Sequence, residues 1–459
     1  MSGQDVVLDW NALASGVLVD NESLQNPGAA SRSMAMMNLA IYDSMALTGG
    51  LTGVPVFYDY SGFDTSSAGT ASSEAAAAQA AYTVLSSIYG DQQATLDLGL
   101  NSTLAGIADG QAKTAGIDLG TQIGNAILAK RANDGYDTYV QYTPTYEPGH
   151  WQPDPINPGQ EAWGPAWGEV DTFALKSVNG FLPDVMPALD SAEYAAAYNE
   201  VKELGSVDST TRTAEQTEIG VFWAYDRVGL GTPMTLFNDV LQTIAVQEGN
   251  TTAENAELFA KATVAMADAG IVAWNSKFDY DFWRPVTGIR DGDLDGNDLT
   301  EADEFWTPLG APDGDSLTGF TPPFPTYLSG HATFGGAVFG VLQEFYGTDD
   351  IEFTLTSEEL ELLLADEELA ELYGLGDLED AERTFSTLSE AMEENGRSRV
   401  YLGIHWNFDD IEGQLTGQHI AQAYFAGEFT ANAIPEPAAA ALLVGLGLAL
   451  SLPRRRRLG

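Results

Sequence analysis

The chain has 459 residues and a formal net charge of −48, because 67 acidic residues face only 19 basic ones. Such acidity repels phosphate, and the sequence has no basic stripe, so nucleic-acid binding is excluded as a function. Hydrophobic residues make up 44% of the sequence, enough for a substantial buried core. The absence of cysteine excludes a disulfide framework.

Helical periodicity dominates the chain, and strand patterns are sparse. The spacing of apolar residues predicts helices at 72–89, 114–133, 191–204, 254–268 and 356–375. Loops rich in proline and glycine, at 142–167 and 291–326, are predicted to shape the entry to a site. We therefore predict an all-α fold, a helical bundle with long connecting loops, as a single domain over residues 1–429.

The segment from Lys277 to Pro285 holds the first of three motifs. Lys277 and Arg284 lie seven positions apart, close to two helical turns, which predicts that both side chains project from one helix face. Pro285 is predicted to end that helix. Because basic residues are scarce in this chain, cations at ordered spacings indicate a site and not ordinary surface charge.

Two acidic segments lie on either side of the second motif. Residues 291–301 place oxygen-bearing side chains at alternate positions, as a calcium loop does, but Ala302 stands at the twelfth position, where a glutamate should close the coordination sphere. A solvated acidic loop is therefore the preferred interpretation. Residues 349–394 are predicted to form an acidic insertion, a solvated pair of helices.

The second motif reads Pro-Pro-Phe-Pro-Thr-Tyr-Leu-Ser-Gly-His over residues 322–331, and an apolar, helical-looking run to Tyr346 follows. Ser329 stands where a helix N-cap belongs. A helix that begins there directs the free N–H groups of Gly330 and His331 at one point, with the positive end of the helix dipole. Backbone groups in this arrangement hold an anion.

The third motif runs from Ser398 to Asp409. Arg399 offers a planar guanidinium fork, and His405 lies one helical turn before Asp409. The Asp409 carboxylate is therefore placed to accept the second imidazole N–H and to fix the tautomer of the ring. Three cations and several fixed donors are what a tetrahedral oxyanion requires before it can be desolvated.

Spelled as K-x6-R-P, P-x3-S-G-H and S-R-x3-G-x-H-x3-D, these motifs resemble the signature of the vanadium-dependent haloperoxidases and of the acid phosphatases that share their fold. Leu328 departs from it, since the family usually has proline before the serine. Residues 6–11, 32–43 and 222–226 resemble helices of the haloperoxidase branch. The resemblance extends from about Asp9 to Gly427 and implies the vanadium chloroperoxidase-like helical fold.

The resemblance also implies roles for the motif residues. His405 would be the axial ligand of vanadium in a vanadate cofactor, and His331 would be the acid–base group. The cradle around the vanadate oxygens would be formed by Lys277, Arg284, Arg399, Ser329 and the Gly330 N–H. The implied activity is oxidation of halide by hydrogen peroxide to hypohalous acid, which halogenates small organic acceptors.

Three more residues are assigned by the same resemblance. Phe324 and Trp274 match the halide pocket, and an aromatic pair there resembles the chloroperoxidase pattern, because algal bromoperoxidases typically have histidine at the position of Phe324. This implies a chloride-competent enzyme for which bromide and iodide are easier substrates. Asp226 resembles the carboxylate that pairs with the arginine matching Arg399.

Residues 430–459 differ in kind from the rest of the chain. Pro-Glu-Pro at 435–437 precedes an apolar run at 438–452 and four arginines at 454–457. These features resemble the PEP-CTERM tails of exported Gram-negative bacterial proteins, and imply a transient membrane anchor, an exosortase-like sorting enzyme and a cell-surface or extracellular location. A simple tail anchor is the alternative. Export also requires an N-terminal signal with an apolar core, and the start at Met1–Asp5 is polar, so a trimmed or misassigned start stays open.

Two other functions stay open at this point. An acid phosphatase would use the same pocket, with His405 as the nucleophile that attacks phosphorus and His331 as the donor of a proton to the leaving alcohol. A non-catalytic acidic surface or matrix protein would keep the fold without the activity, although the intact set of liganding residues argues against it.

Overall fold

The computed structural model describes residues 5–20, 26–183, 185–227, 229–312, 319–376 and 378–430. The sorting tail predicted at 430–459 lies outside the described residues except for its first position. Within the described ranges, no helix combines the length and the apolar character needed to cross a lipid bilayer.

The described part of the chain forms fifteen α-helices and one pair of strands. The first eight helices are α1 (Val6–Asp20), α2 (Pro27–Thr48), α3 (Ser73–Ile88), α4 (Gln93–Ala105), α5 (Gln111–Lys130), α6 (Ala192–Leu204), α7 (Ala214–Phe222) and α8 (Pro233–Glu248). The remaining elements are α9 (Thr252–Tyr280), α10 (Pro285–Arg290), α11 (Gly330–Tyr346), β1 (Phe353–Thr356), α12 (Glu358–Leu364), α13 (Glu367–Leu372), β2 (Glu382–Phe385), α14 (Leu388–Tyr401) and α15 (Asn407–Ala423).

Local sequence signals set the start of most helices. Ser72 and Ser191 cap α3 and α6 with their side chains, and Thr251 forms a capping box with Glu254 at the start of α9. The helices predicted at 72–89, 114–133 and 191–204 are confirmed as α3, α5 and α6. The helix predicted at 254–268 is confirmed as part of the longer α9.

The long helix α9 runs through the middle of the bundle. It packs against α2 and α11, and α11 packs in turn against α14 and α15. One hydrophobic core joins helices from α1 to α15, and a second, mainly aromatic cluster packs α6 and α10 against the segments that carry the second and third motifs. The predicted all-α class is confirmed, and the aromatic cluster gives the motif segments a rigid support.

The structure corrects the predicted end of the helix that carries Lys277. Helix α9 ends at Tyr280, and Asp281 follows in the left-handed conformation with φ 51°. Arg284 is the N-cap of α10 and Pro285 is its first residue, so this proline begins a helix. Proline suits that position because its fixed φ is helical and its missing N–H is not required there. Lys277 and Arg284 therefore reach the site from different elements.

The acidic insertion at 349–394 also differs from the predicted pair of helices. It contains the antiparallel strands β1 and β2, with Phe353 opposite Phe385, as well as the short helices α12 and α13 and the first turns of α14. Phe353 and Leu355 are buried and alternate with exposed threonines. These strands are too short for their period-two pattern to stand out among the acidic helical segments around them.

In the acidic loop 291–301, hydrogen bonds within the loop occupy the buried carboxylate Asp295. It accepts the backbone N–H of Asn297 at 2.7 Å and the hydroxyl of Thr300 at 2.8 Å. The Asn297 side chain donates to the carbonyls of Leu189 and Ser191. These bonds join the loop to the start of α6.

Candidate active site

Segments far apart in the sequence meet around one cavity of about 250 Å³. Its polar lining includes predicted site residues from three separate segments, namely Asp226, Gly330, His331, Arg399 and His405. Aromatic rings form much of the remaining wall, namely Trp163, Tyr225, Trp274, Phe320, Phe324 and Phe334. The structure therefore places Gly330, Arg399 and His405 at the same cavity as the predicted halide pocket. Lys277, Arg284 and Ser329 are not part of the cavity lining and reach the site through their contacts with the lining residues and loops.

Lys277 lies in the last turn of α9 and is completely buried. Its ammonium donates to the carbonyls of Pro325 at 3.1 Å, of Thr326 at 2.9 Å and of Leu328. Burial, followed by the charge of Arg284, lowers the pKa of Lys277 well below its usual value. Lys277 thus fixes the loop before Ser329, and all three of its protons point to backbone carbonyls.

Arg284 connects the second motif with the third. Its Nε donates to the carbonyl of Phe324 at 2.9 Å, and its Nη1 donates to the carbonyl of Ile404 at 2.7 Å and to Nε2 of His405 at 2.9 Å. The buried Nη2 has no hydrogen-bond partner among the described residues. One guanidinium donor is therefore free for a further acceptor.

The hydrogen bonds of His405 define its tautomer. Its Nδ1 lies 2.9 Å from Oδ2 of Asp409, and its Nε2 lies 2.9 Å from Arg284, which can only donate. Nδ1 therefore carries the proton, and Nε2 presents a lone pair. Burial, followed by the charges of Arg284 and Lys277, lowers the pKa of His405 well below its usual value, which keeps the ring neutral.

Thr326 is a site residue that no sequence pattern indicated. Its hydroxyl donates to Oδ2 of Asp409 and lies 3.0 Å from Nδ1 of His405. The backbone N–H of Trp406 also donates to Oδ2 of Asp409, at 3.1 Å. The predicted contact between Asp409 and His405 is present, and Thr326 adds a third member to it. A threonine inside a proline-rich loop has no spacing that relates it to a distant histidine.

Replacing Thr326 with valine is expected to weaken orthovanadate binding by about tenfold or more, because groups that orient a metal-binding histidine commonly contribute a factor of about 10 to 100 to affinity. Titration calorimetry measures the change. Thr321→Val is the matched control, since Thr321 is also buried and its hydroxyl has no partner among the described residues. Equal affinities in the two variants would contradict a role for the Thr326 hydroxyl.

Arg399 forms the predicted pair with Asp226. Its Nη2 donates to Oδ2 of Asp226 at 2.5 Å, while its buried Nε has no partner within the described ranges. The acidic insertion supports the segment that carries Asp226: Ser357 donates its hydroxyl to the carbonyl of Phe222 at 2.7 Å, and Arg227 pairs with buried Glu359 at 3.3 Å. The insertion therefore packs against the site, although its sequence indicated only a solvated surface.

His331 lies in the first turn of α11 and lines the cavity. Its Nε2 lies 2.8 Å from the carbonyl oxygen of Ala224, which can only accept, so this nitrogen carries the proton and Nδ1 has a lone pair. Burial, followed by the charge of Arg399, lowers the pKa of His331 to about 3. The ring is neutral and suited to accept a proton at Nδ1.

The predicted helix start at Ser329 is confirmed. The Ser329 hydroxyl accepts the N–H of Ala332 at 3.4 Å, and its own N–H donates to the carbonyl of Asp409 at 3.1 Å. The second of these bonds ties the second motif to the third. The hydroxyl proton is still available for an anion, and Gly330 follows on the cavity wall. A helix start with this geometry is an anion-binding element.

Phe324 and Trp274 form one aromatic wall, with ring centroids 5.0 Å apart. The Lys277 ammonium lies 4.9 Å from the centre of the Phe324 ring, and the Arg284 guanidinium also lies 4.9 Å from it. Trp163, which was not predicted, completes the wall at 5.0 Å from Trp274. Its loop is rich in proline and glycine, and nothing in that sequence indicates which helix it meets.

The site gathers three buried cations and leaves two guanidinium donors without partners among the described residues. Burial, and after it repulsion by the neighbouring cations, lowers the pKa values of Lys277 and His405. The oxygens of a vanadate or phosphate group fit these donors, since they would satisfy the donors and compensate the charge.

Orthovanadate is therefore expected to raise the melting temperature of the protein. At a hundredfold excess over its Kd the gain in free energy of unfolding is about 2.7 kcal/mol. Calorimetry with and without orthovanadate measures the shift, and sodium nitrate at the same ionic strength is the control for general salt effects. An equal shift in nitrate would contradict a specific oxyanion site.

Comparison with known proteins agrees with this geometry. Residues 257–430 match the family model described as the VCPO second helical-bundle domain, and that range contains all three motifs. Over 300 residues the chain is 35% identical to vanadium chloroperoxidase from Curvularia inaequalis. This match covers 56% of the chain and 48% of the relative, so the chain spans about half the length of that curated protein.

Solved structures share the fold over most of the chain. The first bacterial vanadium-dependent iodoperoxidase has a TM-score of 0.71 at 24% identity, covering 91% of this chain and 95% of its own. A holo-type bacterial vanadium-dependent chloroperoxidase has a TM-score of 0.67 at 16% identity, covering 88% of this chain and 92% of its own. These structures confirm the helical fold, and the family model and the 35% identical relative confirm the resemblance to vanadium chloroperoxidase.

Proposed function

We propose that this chain is a vanadate-dependent haloperoxidase that uses hydrogen peroxide to oxidise halide to hypohalous acid. The observation that carries the proposal is the neutral His405, whose Nε2 lone pair lies beside Arg284 on a cavity that Arg399 and His331 also line. A neutral imidazole with a fixed tautomer is the form that binds a metal. The similarity to vanadium chloroperoxidase supports the same activity.

Each residue has a separate task in this proposal. His405 would bind vanadium through Nε2, while Asp409 and Thr326 hold its other nitrogen. Arg284, through Nη2, and Arg399, through Nε, would donate to vanadate oxygens. The Ser329 hydroxyl and the Gly330 N–H would add two more donors from the helix start. Vanadate, when bound, supplies a Lewis acid for the activation of peroxide.

Lys277 would act first through its charge. In the structure its ammonium holds the loop that leads to Ser329, so direct contact with a vanadate oxygen would require the exchange of one carbonyl bond. A positive charge at this position still stabilises an oxyanion, because it acts through a dry interior with little screening. Lys277 therefore combines loop positioning with electrostatic stabilisation.

His331 would accept a proton from hydrogen peroxide at Nδ1. Burial and the charge of Arg399 lower the pKa of His331, so the ring of the anion-free site is in the neutral form that accepts a proton. A phosphatase would require the protonated form of the same ring to supply a proton to the leaving alcohol. The lone pair on His405 would suit attack on phosphorus as well, so the phosphatase stays the second candidate. The similarity to vanadium chloroperoxidase favours the haloperoxidase.

The halide would bind against the wall of Phe324 and Trp274, where the Lys277 ammonium lies behind the Phe324 ring. Ring edges carry partial positive charge and exclude water, so a weakly hydrated anion suits such a wall. We propose oxidation of chloride, bromide and iodide at this position. Relative rates with the three halides at fixed peroxide concentration would establish their order.

Two assays on the purified protein, with and without orthovanadate, separate the candidate functions. Peroxide-dependent bromination of a phenol that requires vanadate is the expected result. Phosphate-ester hydrolysis that vanadate inhibits would support the phosphatase in its place. The absence of activity in both assays would support a non-catalytic acidic surface protein.

We also propose export to the cell surface, with the tail at 430–459 cut by an exosortase-like enzyme. The support is the order of Pro-Glu-Pro, apolar run and arginine cluster in the sequence. Mass spectrometry of the protein recovered from the cell surface tests this. A chain that ends near Pro435 is expected, and a full-length chain retained in the membrane would contradict it.

A further inference from the structure

A second space adjoins the cavity and shares one wall with it. This groove has a volume of about 390 Å³ and is lined by Asn26 and by the segments 135–140 and 161–167. Trp163 lines both the groove and the cavity. The centre of its ring is 5.9 Å from Trp167 on the groove side and 6.3 Å from Phe324 on the cavity side. The Trp163 indole therefore belongs to the boundary between the groove and the proposed halide wall.

The groove exposes an unusual amount of apolar surface. Tyr139 is 78% exposed, Val140 46% and Tyr136 45%, and all three belong to its lining. Large apolar side chains that cluster on the surface beside a polar site are a common feature of binding sites. The groove also lies within the range of about 300 to 1,000 Å³ that is typical of small-molecule sites.

Buried ion pairs anchor the start of the segment that carries these residues. Arg32 and Arg131 both form ion pairs with the buried carboxylate of Asp134, at 2.8 and 2.7 Å. The Arg32 guanidinium also stacks on the ring of Tyr136 at 4.0 Å. A buried ion network therefore fixes the start of the groove wall. A preformed wall costs less conformational entropy when a ligand binds.

The opposite wall is fixed by a close approach to α9. Gly164 has φ 77°, and a Cβ at this position would lie 2.6 Å from Nε1 of Trp274. Only glycine permits both the backbone conformation and this contact. The backbone N–H of Trp163 donates to the carbonyl of Pro323 at 2.8 Å, which joins the same loop to the second motif. Both walls are thus anchored to elements that build the candidate active site.

We propose that this groove binds a neutral, electron-rich aromatic acceptor for halogenation. The proposal rests on the proposed haloperoxidase function, because the oxidant is the hypohalous acid formed in the adjoining cavity. Asp137 and Glu161 line the groove as exposed carboxylates and, with the net charge of −48, disfavour anionic acceptors. The tyrosine and tryptophan rings offer offset or edge-on stacking to a second ring.

The chemical step is electrophilic aromatic substitution. The halogen of hypohalous acid forms a bond to a ring carbon of the acceptor, and the O–X bond breaks. The ring proton leaves that carbon and combines with the hydroxide released, so the products are the aryl halide and water. Binding beside the cavity places the ring in the path of the oxidant before it reaches bulk water.

Competition between phenol and 4-hydroxybenzoate tests the proposal. With vanadate, bromide and peroxide, the wild-type protein is expected to give a higher ratio of brominated phenol to brominated 4-hydroxybenzoate than reagent hypobromous acid gives at the same pH. Tyr139→Ala is expected to raise the KM for phenol about threefold to tenfold, the value of one aromatic contact. The rate of triiodide formation from iodide, which needs no organic acceptor, should stay unchanged.

Phe305→Ala is the matched control, because Phe305 is 79% exposed and lies outside the groove lining. It should keep the wild-type product ratio, while Tyr139→Ala moves to the ratio given by reagent hypobromous acid. A wild-type ratio equal to the reagent ratio would overturn the groove proposal and leave the haloperoxidase function intact.

A measurement of phenol binding without turnover tests the groove proposal separately from the haloperoxidase function. Saturation-transfer NMR of phenol with the protein, in the absence of peroxide, is expected to show contact that Tyr139→Ala reduces and Phe305→Ala does not. If vanadate-dependent halide oxidation were absent, this NMR result would still support or contradict the groove. Equal transfer in all three proteins would contradict it.

Discussion

His405→Ala is expected to abolish orthovanadate binding and to reduce vanadate-dependent bromination to background. The reason is the fixed tautomer: Asp409 and Thr326 hold Nδ1, so Nε2 is the nitrogen with a lone pair on the cavity side. Groups that only orient such a histidine contribute a factor of about 10 to 100 to metal affinity, so loss of the ligand itself should exceed a hundredfold. Titration calorimetry with orthovanadate measures it.

His419→Ala controls for the loss of a histidine as such, because His419 is exposed on α15 and has no place in the site. It should bind orthovanadate as the wild type does. Circular dichroism and the melting temperature show whether the His405 variant is folded. A folded variant that kept its peroxidase activity would refute the assignment of His405 as the ligand.

His331→Ala is expected to separate binding from turnover. Orthovanadate should bind within a few-fold of the wild-type affinity, because the His331 side chain bonds to the carbonyl of Ala224 and not to the oxyanion donors. Turnover should fall by about 10²- to 10⁴-fold, the usual contribution of a positioned acid–base group. Steady-state bromination kinetics, with vanadate held at saturation, measure the loss.

The pH dependence of the same variant gives an independent readout. A group with a pKa of about 3 is unprotonated above that pH, so it can accept a proton through the neutral range and loses this ability as the pH falls towards 3. The fall of kcat/KM at low pH should therefore be smaller in His331→Ala than in the wild type. A His331→Ala variant with full activity and an unchanged pH profile would contradict proton acceptance by His331. If this variant lost as much vanadate affinity as His405→Ala, His331 would be a vanadate-binding residue instead.

The sequence was sufficient to predict that the three motifs meet. Lys277, Arg284, His331, Arg399 and His405 stand at spacings that a family signature fixes, and the structure brings them to one site. Asp226 and Asp409 also make the contacts predicted for them. These contacts could be predicted because cations are rare in this acidic chain and stand at ordered spacings. The roles assigned to the residues stay predictions.

Other features depend on tertiary contacts that no local pattern records. Pro285 begins a helix because α9 has already ended in a left-handed residue, which neither helix propensity nor the spacing of the cations indicates. The Lys277 ammonium donates its hydrogen bonds to loop carbonyls. A backbone acceptor of this kind cannot be recognised from the sequence. Thr326 and Trp163 lie in proline-rich loops whose path is set by packing against α9 and α15.

The acidic insertion illustrates the same limit at the level of secondary structure. Its glutamates and leucines have strong helix propensity, and they do form α12 and α13, but the strands between Phe353 and Phe385 depend on pairing across the insertion. Buried Glu359 is also unexpected, since carboxylates are rarely buried unless paired, and its partner Arg227 lies far away in the sequence. Both the strand pair and the burial of Glu359 depend on contacts between residues that are distant in the sequence.

A crystal structure of the protein soaked with orthovanadate would test the proposed vanadate site. We expect vanadium bonded to Nε2 of His405, with Arg284 turned from that nitrogen to a vanadate oxygen and the Arg399 guanidinium in contact with another. Vanadate found elsewhere on the molecule, with the bond between Arg284 and His405 intact, would contradict it.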